Sequence, residues 1–270
     1  MIIWQHRSGD NHYQVRSAGA SIRLYRNEVF HSQYNGQRLL NGGVWDMLWL
    51  PLFFRPPRSI KRVLVLGVGA GAAVKKILDY GHAVDMTAID IDAVHLRIAR
   101  RFVGLKASRR ARTGAAPNIQ LIHADAIQWL AERDNNGASY DLIIDDLFFE
   151  QQGEPVRAVD FADDRQAWFK LLKRHLSPHG LLVANCVSLP QARSLVAGRR
   201  KALRGAFQHG FLLRQPNYDN AISVCSRKPL LLADWSNQLA ATLEETQTAK
   251  FAGSKCVKQA RQQIRFTQLG

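Results

Sequence analysis

From Lys61 onward, short apolar runs alternate with stretches in which apolar residues recur every three to four positions. The short runs predict β-strands, and the longer periodic stretches predict amphipathic helices. The predicted strands are residues 63–67, 85–90, 119–124, 142–146, 181–187 and 221–226, and the predicted helices are residues 72–80, 93–102, 126–134, 163–176 and 190–205. This alternation predicts an α/β fold with a doubly wound, mostly parallel Rossmann-like sheet and helices on both faces.

The segments on either side of this central domain have different patterns. Residues 1–55 contain short alternating stretches that predict a small, strand-rich N-terminal section. Residues 48–54 predict a helix that begins before Pro51, and the pair Pro56 and Pro57 marks the start of the central domain, residues 56–229. Residues 230–270 predict a helical or mobile basic tail.

Apolar runs, cysteines and histidines bear on the class of protein. The longest apolar run, residues 44–54, is well short of the roughly 18 residues that a membrane-spanning helix needs. The first residues turn polar at once, unlike a secretory signal, so we expect a cytoplasmic protein without a membrane partner. The cysteines are far apart and the nine histidines show no ligand spacing, so we predict no metal site.

The formal net charge of +15 is unusual for a chain of this size. Basic residues concentrate in residues 97–112, 199–204 and 250–265. Such a charge attracts polyanions, and contact with nucleic acid or an acidic partner is one interpretation. Because a basic run is more often a solvated face, and because no recognition motif accompanies these runs, we favour the solvated face.

A glycine-rich turn follows the first predicted strand of the central domain. Gly67, Gly69 and Gly71 lie between that strand and the helix that begins at residue 72. Glycine lets the backbone turn sharply and approach a ligand without a clashing Cβ, and the helix N-terminus offers free N–H groups. The spacing favours a nucleotide-sized ligand over a plain tight turn.

Acidic residues end the next two predicted strands. Asp90 lies where a carboxylate can accept hydrogen bonds from both ribose hydroxyls, and Asp92 is better placed to cap the following helix. Asp125, followed by Ala126, lies where it can meet an adenine amino group or cap a helix. Since open α/β sheets bind ligands at the carboxyl ends of their strands, these acids and the glycine turn predict one nucleotide site.

Asp145 and Asp146 end the fourth predicted strand. Alternate residues of a strand point to opposite faces, so we expect only one of the two carboxylates to face the crevice, and we favour Asp146. There it could act as a base or orient the acceptor of a transferred group. The alternative is that one of the pair caps or braces the following loop.

Together these residues resemble one known family, the polyamine aminopropyltransferases or spermidine synthases, whose fold is that of class I S-adenosylmethionine-dependent methyltransferases. The similar segments are residues 25–54, 62–71, 88–92, 123–126, 140–146, 176–183 and 220–222. The resemblance implies that the glycine turn binds S-adenosylmethionine or its decarboxylated form, with Asp90 at the ribose, Asp125 at the adenine and Ala126 among the cofactor-binding residues. It also implies that Asp146 is the base that deprotonates an attacking amine.

The acceptor side departs from that family. Leu147, Phe148 and Phe149 follow Asp146 in place of the family's Ser-x-Asp-Pro, and residues 43–49 replace its Asp-Glu pair and tyrosine-containing stretch. Those groups would hold a polycation, and their absence from a protein of charge +15 argues against a polyamine acceptor. Trp45, Trp49 and the two phenylalanines could line a pocket for a flatter acceptor, although core packing is the commoner role for the two tryptophans.

The sequence therefore predicts a transferase that uses S-adenosylmethionine or its decarboxylated form, without a metal, to alkylate an unidentified small-molecule acceptor. Methyl and aminopropyl transfer both stay open. The alternative is a non-catalytic binding protein that contacts nucleic acid or an acidic partner through its basic patches. A nucleic-acid methyltransferase is a third interpretation, since residues 146–149 distantly resemble an Asp-Pro-Pro-Tyr motif, but both prolines are absent. A homodimer is one assembly that we consider.

Overall fold

The N-terminal section is a four-stranded antiparallel sheet in the order β1-β2-β3-β4. Its strands are β1 (Ile2–Ser8), β2 (Asn11–Ala18), β3 (Ser21–Arg26) and β4 (Val29–Asn35). Tyr13, Val15 and Leu24 are buried in the core beneath it. The predicted strand-rich section is confirmed. The computed structural model describes residues 1–82, 85–106, 118–133, 139–151, 154–160, 165–196, 207–245 and 253–269.

A larger, eight-stranded sheet has the order β14-β12-β13-β11-β8-β5-β6-β7, and β9 and β10 form a separate hairpin. The strands are β5 (Arg62–Leu66), β6 (Asp85–Asp90), β7 (Asn118–His123), β8 (Tyr140–Asp145), β9 (Phe148–Gln151), β10 (Glu154–Arg157), β11 (Leu176–Cys186), β12 (His209–Arg214), β13 (Ala221–Ser226) and β14 (Arg265–Leu269). Strands β11, β8, β5, β6 and β7 run parallel. The α/β fold and its mostly parallel sheet are therefore confirmed.

One edge of the large sheet differs from the prediction. Strand β13 runs antiparallel to β11, and β12 and β14 extend this edge with antiparallel pairing. Strands β12 and β14 were not predicted, and β14 lies in the segment predicted to be a helical or mobile tail. That segment also forms two helices. Its last strand pairs with β12, and Phe266 of that strand packs against the core.

Helices cover both faces of the large sheet. They are α1 (Val44–Trp49), α2 (Ala72–Tyr80), α3 (Ala93–Ile98), α4 (Ala126–Ala131), α5 (Arg165–His175), α6 (Leu189–Val196), α7 (Leu232–Glu245) and α8 (Gly253–Gln263). Val63 and Val65 of β5 pack in the core on the side of α1, α2, α3, α7 and α8, whereas Leu64 and Leu66 pack on the side of α4, α5 and α6. This alternation follows from the two-residue period of a strand.

The helix predicted at residues 48–54 begins earlier than expected. Helix α1 starts at Val44, and the chain continues through Pro51 as a 3-10 turn, Leu50–Phe54. Proline is tolerated there because the first turn of a helix has no internal partner for its missing N–H. Helix α3 likewise continues as a π-helical turn, Ala99–Val103.

Parts of the predicted helices and basic runs lie outside the described residues. These are residues 107–112, 134, 163–164, 197–205 and 250–252. Within the described ranges, the helices are all too short or too polar to cross a membrane.

The parallel strands bring the predicted site residues to one edge of the sheet. In the pairing register, Leu66 of β5 is opposite both Ile89 of β6 and Asp145 of β8. Asp90 is opposite His123 of β7. The residues that follow these positions therefore leave the sheet at its carboxyl edge, where such folds bind ligands.

Candidate active site

The glycine turn after β5 lies against the end of β8. Gly67 and Gly71 both have φ of +86°, and Gly69 has φ of +53°, a region that other residues rarely adopt. A Cβ at Gly67 would lie 2.2 Å from the carbonyl oxygen of Asp146. Glycine is therefore required at this position both by the backbone conformation and by the close approach of the next strand.

Asp90 holds the glycine turn through its carboxylate. Its Oδ2 accepts hydrogen bonds from the backbone N–H groups of Val68 at 2.8 Å and Gly69 at 2.9 Å, and its Oδ1 accepts one from Asp92 at 2.8 Å. Burial alone would raise the pKa of Asp90, but His95 and these N–H groups lower it. A ribose hydroxyl would have to use the remaining lone pairs of this carboxylate, whose residue is only 7% exposed.

The N-terminal sheet closes one side of the glycine turn. Tyr13 of β2 donates a hydrogen bond to Asp92 at 2.6 Å, and Asp92 caps helix α3 by accepting from Val94. The capping role expected for Asp92 is confirmed. The ring centres of His31 on β4 and His95 lie 5.8 Å apart. Burial and the neighbouring His95 lower the pKa of His31 to about 4, so His31 is neutral at physiological pH.

Asp125 is the N-cap of helix α4. Its Oδ1 accepts hydrogen bonds from Ile127 at 2.8 Å and Gln128 at 3.1 Å, while the residue itself is exposed. Ala126, the first residue of the helix, is buried. The structure thus shows the capping role left open by the sequence, and the predicted adenine contact stays a prediction.

Ile91 is an apolar residue that sequence reasoning missed. It lies between Asp90 and Asp92, and 67% of its surface is exposed at the carboxyl edge of the sheet. Its backbone carbonyl lies 3.0 Å from Nε2 of His123 at the end of β7. An isoleucine flanked by two acids just past a strand end was the available signal, because it offers an apolar surface beside polar groups.

The two carboxylates at the end of β8 lie in different environments, as expected. Asp145 is fully buried, and its Oδ2 accepts hydrogen bonds from Arg157 at 2.7 Å and from Trp168 at 3.0 Å. Asp146 lies one residue beyond the strand, is partly exposed, and accepts a hydrogen bond from Asn185 at 2.7 Å. The bracing role suits Asp145, which leaves Asp146 at the cleft.

The surroundings of Asp146 favour its protonated form more than water would. Burial raises its pKa to about 7, and Asp145 and Asp90 add to the rise, whereas Asn185 and Arg157 oppose it. Asn185 in turn accepts a hydrogen bond from Asn220 at 3.0 Å. We call Asp146, Asn185 and Asn220 the Asp146 side of the cleft, and the residues 67–71, Asp90, Ile91 and Asp125 the glycine-loop side.

The segment that replaces the family's acidic and tyrosine-containing stretch also supplies a carboxylate. Asp46 of α1 is buried and accepts hydrogen bonds at 2.7 Å from the backbone N–H groups of Asn41 and Gly42. Burial raises its pKa to about 6. Burial raises the pKa of the Tyr218 phenol, and the charge of the nearby Asp46 adds to the rise. The sequence interpretation overlooked both residues.

The aromatic residues of the acceptor side separate into two groups. Trp49 is buried in the core and stacks on Tyr80 with ring centres 5.4 Å apart, as its commoner role predicts. Trp45 is partly exposed and meets Phe30 edge to face. Phe148 and Phe149 lie on the β9–β10 hairpin, which begins two residues after Asp146, and Phe149 is 39% exposed. Trp49 is therefore excluded as a pocket residue.

In the part of the chain that the structure describes, no group of three or more histidine, cysteine, aspartate or glutamate residues is arranged to hold a metal ion.

A glycine turn at the first parallel strand, with carboxylates at the following strand ends, defines a methyltransferase-type Rossmann fold. The chain belongs to the spermine/spermidine synthase family, because the family model described as the spermine/spermidine synthase domain matches residues 46–224. The family resemblance predicted from the sequence is confirmed.

Two curated relatives carry matching names. Polyamine aminopropyltransferase 1 of Hyperthermus butylicus is 29% identical over 174 residues, which cover 62% of this chain and 56% of the relative. Spermidine synthase of Dictyostelium discoideum is 28% identical over 141 residues, which cover 52% of this chain and 44% of the relative. The chain thus spans about half the length of these relatives.

Solved structures share the fold. A probable spermidine synthase from Corynebacterium glutamicum superposes with a TM-score of 0.67 at 20% identity, covering 92% of this chain and 95% of that one. Human methyltransferase-like protein 13 in complex with SAH superposes with a TM-score of 0.59 at 21% identity, covering 75% and 90%. At these identities the likeness establishes the architecture alone.

Proposed function

We propose that this protein is an aminopropyltransferase that transfers the aminopropyl group of decarboxylated S-adenosylmethionine to a primary amine of a polyamine. The observation that carries this proposal is Asp146, a carboxylate with a pKa of about 7 beside the glycine turn. A base whose pKa lies near the working pH can accept a proton from an ammonium group and release it again.

The reaction is a single displacement at carbon. The sulfonium of the bound nucleoside supplies the leaving group: the amine nitrogen forms a bond to the aminopropyl carbon, the carbon–sulfur bond breaks, and methylthioadenosine departs. The proton lost by the amine passes to Asp146 and then to solvent. The protein mainly orients the two reactants and holds this proton acceptor in place.

The glycine-loop side has the features that an adenosyl group needs. The turn at residues 67–71 admits close approach of a ligand, and exposed Ile91 offers an apolar surface to a purine ring. Asp125 keeps Oδ2 free of hydrogen bonds to the described residues, so this oxygen can accept from an adenine amino group. Asp90 then contacts the ribose from beneath the turn.

Aminopropyl transfer is favoured over methyl transfer by charge. Two carboxylates lie against the glycine turn: Asp90 accepts a hydrogen bond from a backbone N–H of the turn, and the carbonyl oxygen of Asp146 closely approaches Gly67. Arg157 offsets the charge of the neighbouring Asp145, so the negative potential of the cleft comes from Asp90 and Asp146. Such a potential stabilises the ammonium of an aminopropyl group and opposes the carboxylate of ordinary S-adenosylmethionine. The names of the curated relatives point the same way.

The expectation against a polyamine acceptor is reversed here. It rested on the net charge of +15 and on missing acidic residues. Surface charges are screened beyond roughly 8–10 Å at physiological salt, so the field in the cleft is set by nearby groups. Asp146 places a carboxylate in the cleft, and the relatives are named for polyamine aminopropyl transfer, which also favours an enzyme over the binding-protein alternative.

The test is an incubation of the full chain with decarboxylated S-adenosylmethionine and putrescine or spermidine, followed by quantification of methylthioadenosine. A parallel reaction supplies S-adenosylmethionine and monitors S-adenosylhomocysteine. We expect methylthioadenosine release that depends on the amine and that falls by about a thousandfold in Asp146→Asn. If product forms with S-adenosylmethionine and not with its decarboxylated form, the enzyme is a methyltransferase instead. If neither nucleoside gives product, the proposal is refuted.

A further inference from the structure

Asn185 is a polar residue within the buried strand β11. Its neighbours Ala184 and Cys186 are fully buried, and Asn185 itself is 4% exposed. A buried amide is costly unless its donors and acceptor are paired. Both ends of this amide are paired: Nδ2 donates to Oδ1 of Asp146 at 2.7 Å, and Oδ1 accepts from Nδ2 of Asn220 at 3.0 Å.

These partners fix the direction of the Asn185 amide. An ionised carboxylate only accepts hydrogen bonds, so the NH₂ group of Asn185 must face Asp146. Its carbonyl oxygen must then face Asn220, which approaches from the residue just before β13. A rotation that exchanged the two ends of the Asn185 amide would bring its oxygen against the Asp146 carboxylate and its NH₂ group against that of Asn220.

The backbone of Asn185 is held as firmly as its side chain. Its carbonyl oxygen accepts a hydrogen bond from Nη1 of Arg157, whose Nη2 donates to Oδ2 of Asp145 at 2.7 Å. Trp168 donates to the same oxygen of Asp145. The buried ion pair beneath the cleft therefore links the end of β8, the end of β10 and the end of β11.

We propose that Asn185 is a positioning residue that occupies Oδ1 of Asp146 and so leaves Oδ2 as the oxygen that takes the proton from the acceptor amine. Asn220 fixes the direction of the Asn185 amide. This role rests on the proposed function. The supporting geometry is that Oδ2 of Asp146 has no hydrogen bond to the described residues, while Oδ1 has the short one to Asn185.

Loss of this hydrogen bond has a defined chemical consequence. The bond stabilises the charged form of Asp146 and opposes the effect of burial. Without it, the carboxylate stays protonated up to a higher pH and is free to rotate. The pH dependence of turnover should therefore change together with kcat, whereas nucleoside binding should not.

The test compares Asn185→Leu and Asn220→Ala with Ser223→Ala, in the full chain. Ser223 is buried on β13 and donates a hydrogen bond to Ala192 at 2.7 Å, away from Asp146, so its variant controls for the loss of a buried polar contact. For Asn185→Leu we expect kcat at neutral pH to fall about 10- to 100-fold, as for a hydrogen bond to a charged group. The acidic limb of the kcat profile should move up by about one pH unit or more.

Asn220→Ala should show the same changes on a smaller scale, about 3- to 10-fold in kcat, because Asn185 keeps its bond to Asp146 but loses its orientation. KM for the amine and the affinity for methylthioadenosine should stay within about twofold in both variants, as expected for an interaction that matters mainly in the transition state. An acidic limb unchanged from wild type, or a loss of methylthioadenosine binding that parallels the loss of kcat, would overturn the positioning role.

A second measurement is independent of turnover. The carboxyl carbon of Asp146 can be titrated by NMR, with its signal identified by its absence from Asp146→Asn. If wild type has no transferase activity, the proposed function fails, and an Asp146 titration that moves upward in Asn185→Leu still supports the hydrogen-bond role. An identical titration in the two proteins refutes that role. Should Asn185→Leu not fold, Asn220→Ala, at a half-buried position, gives the same comparison.

Discussion

The glycine-loop side of the cleft is built from backbone groups, whereas the Asp146 side is built from side-chain amides. On the first, one carboxylate collects the N–H groups of Val68, Gly69 and Asp92. On the second, Asn185 of β11 donates its side-chain amide to Asp146, and Asn220, just before β13, donates its own amide to Asn185. A backbone-built site tolerates few changes of residue size, and a side-chain-built site can be altered one hydrogen bond at a time.

This difference explains why the two sides respond to different variants. Substitutions on the glycine-loop side should lower folding stability, nucleoside affinity or both, since this side forms the turn and the binding surface. Substitutions on the Asp146 side should act on turnover and leave nucleoside affinity intact. Variants at four positions test this division, from the largest expected effect to the smallest.

Asp146→Asn should have the largest effect. The amide keeps the shape of the carboxylate and cannot accept a proton, so we expect kcat to fall by about a thousandfold, within the usual range for a general base. Methylthioadenosine affinity, measured by calorimetry, should change little. If methylthioadenosine affinity fell as much as kcat, Asp146 would belong to the glycine-loop side, and the proposed difference between the two sides would be wrong.

Gly67→Ala should mainly affect folding. A Cβ there would meet the Asp146 carbonyl oxygen at 2.2 Å, at φ of +86°, so backbone must move. We expect a loss of about 3 kcal/mol or more in the free energy of unfolding, measured by urea denaturation. Gly104→Ala is the matched control, because Gly104 has φ of +78° with no atom within 4 Å of a new Cβ. Gly104→Ala should lose only about 1–2 kcal/mol. If the two variants lost equal stability, the positive φ and not the contact with Asp146 would explain the loss at Gly67.

The glycine-loop side was largely predictable because its residues carry their own signals. Glycines after an apolar strand identify a turn with positive φ, and Asp90 stands at the end of the next strand. The role of Asp90 in holding the turn was not predicted, since the sequence does not show which atoms a carboxylate will reach.

The Asp146 side was less predictable because its members are brought together by sheet topology. Asn185 and Asn220 meet only because β13 pairs antiparallel with β11. One signal was present: an asparagine within the apolar run of residues 181–187 is a buried polar group that needs partners. Strand β14 had no comparable signal, as an edge strand needs few apolar residues.

His31 tests whether the N-terminal sheet belongs to the glycine-loop side. Its pKa is lowered from 6.5 to about 4, so the folded state prefers the neutral ring. The stability it contributes is fully present above pH 6.5 and is lost as the pH falls toward about 4. Relative to His31→Gln, wild type should lose about 2 kcal/mol of unfolding free energy over that range. His179→Gln, at an exposed position, should show the same dependence of unfolding free energy on pH as wild type. If the curve of His31→Gln also ran parallel to that of wild type, the N-terminal sheet would not belong to the glycine-loop side.

Asp125 should give the smallest effect and the finest distinction. Asp125→Ala removes the cap of α4 and should cost about 1 kcal/mol of stability. Asp125→Ser restores a capping oxygen but not a carboxylate, so it should recover that stability. If the carboxylate also meets the adenine amino group, both variants should bind methylthioadenosine about 5- to 10-fold more weakly than wild type. Wild-type affinity in Asp125→Ser would make Asp125 a helix cap alone and confine the nucleoside contacts to the glycine turn, Asp90 and Ile91.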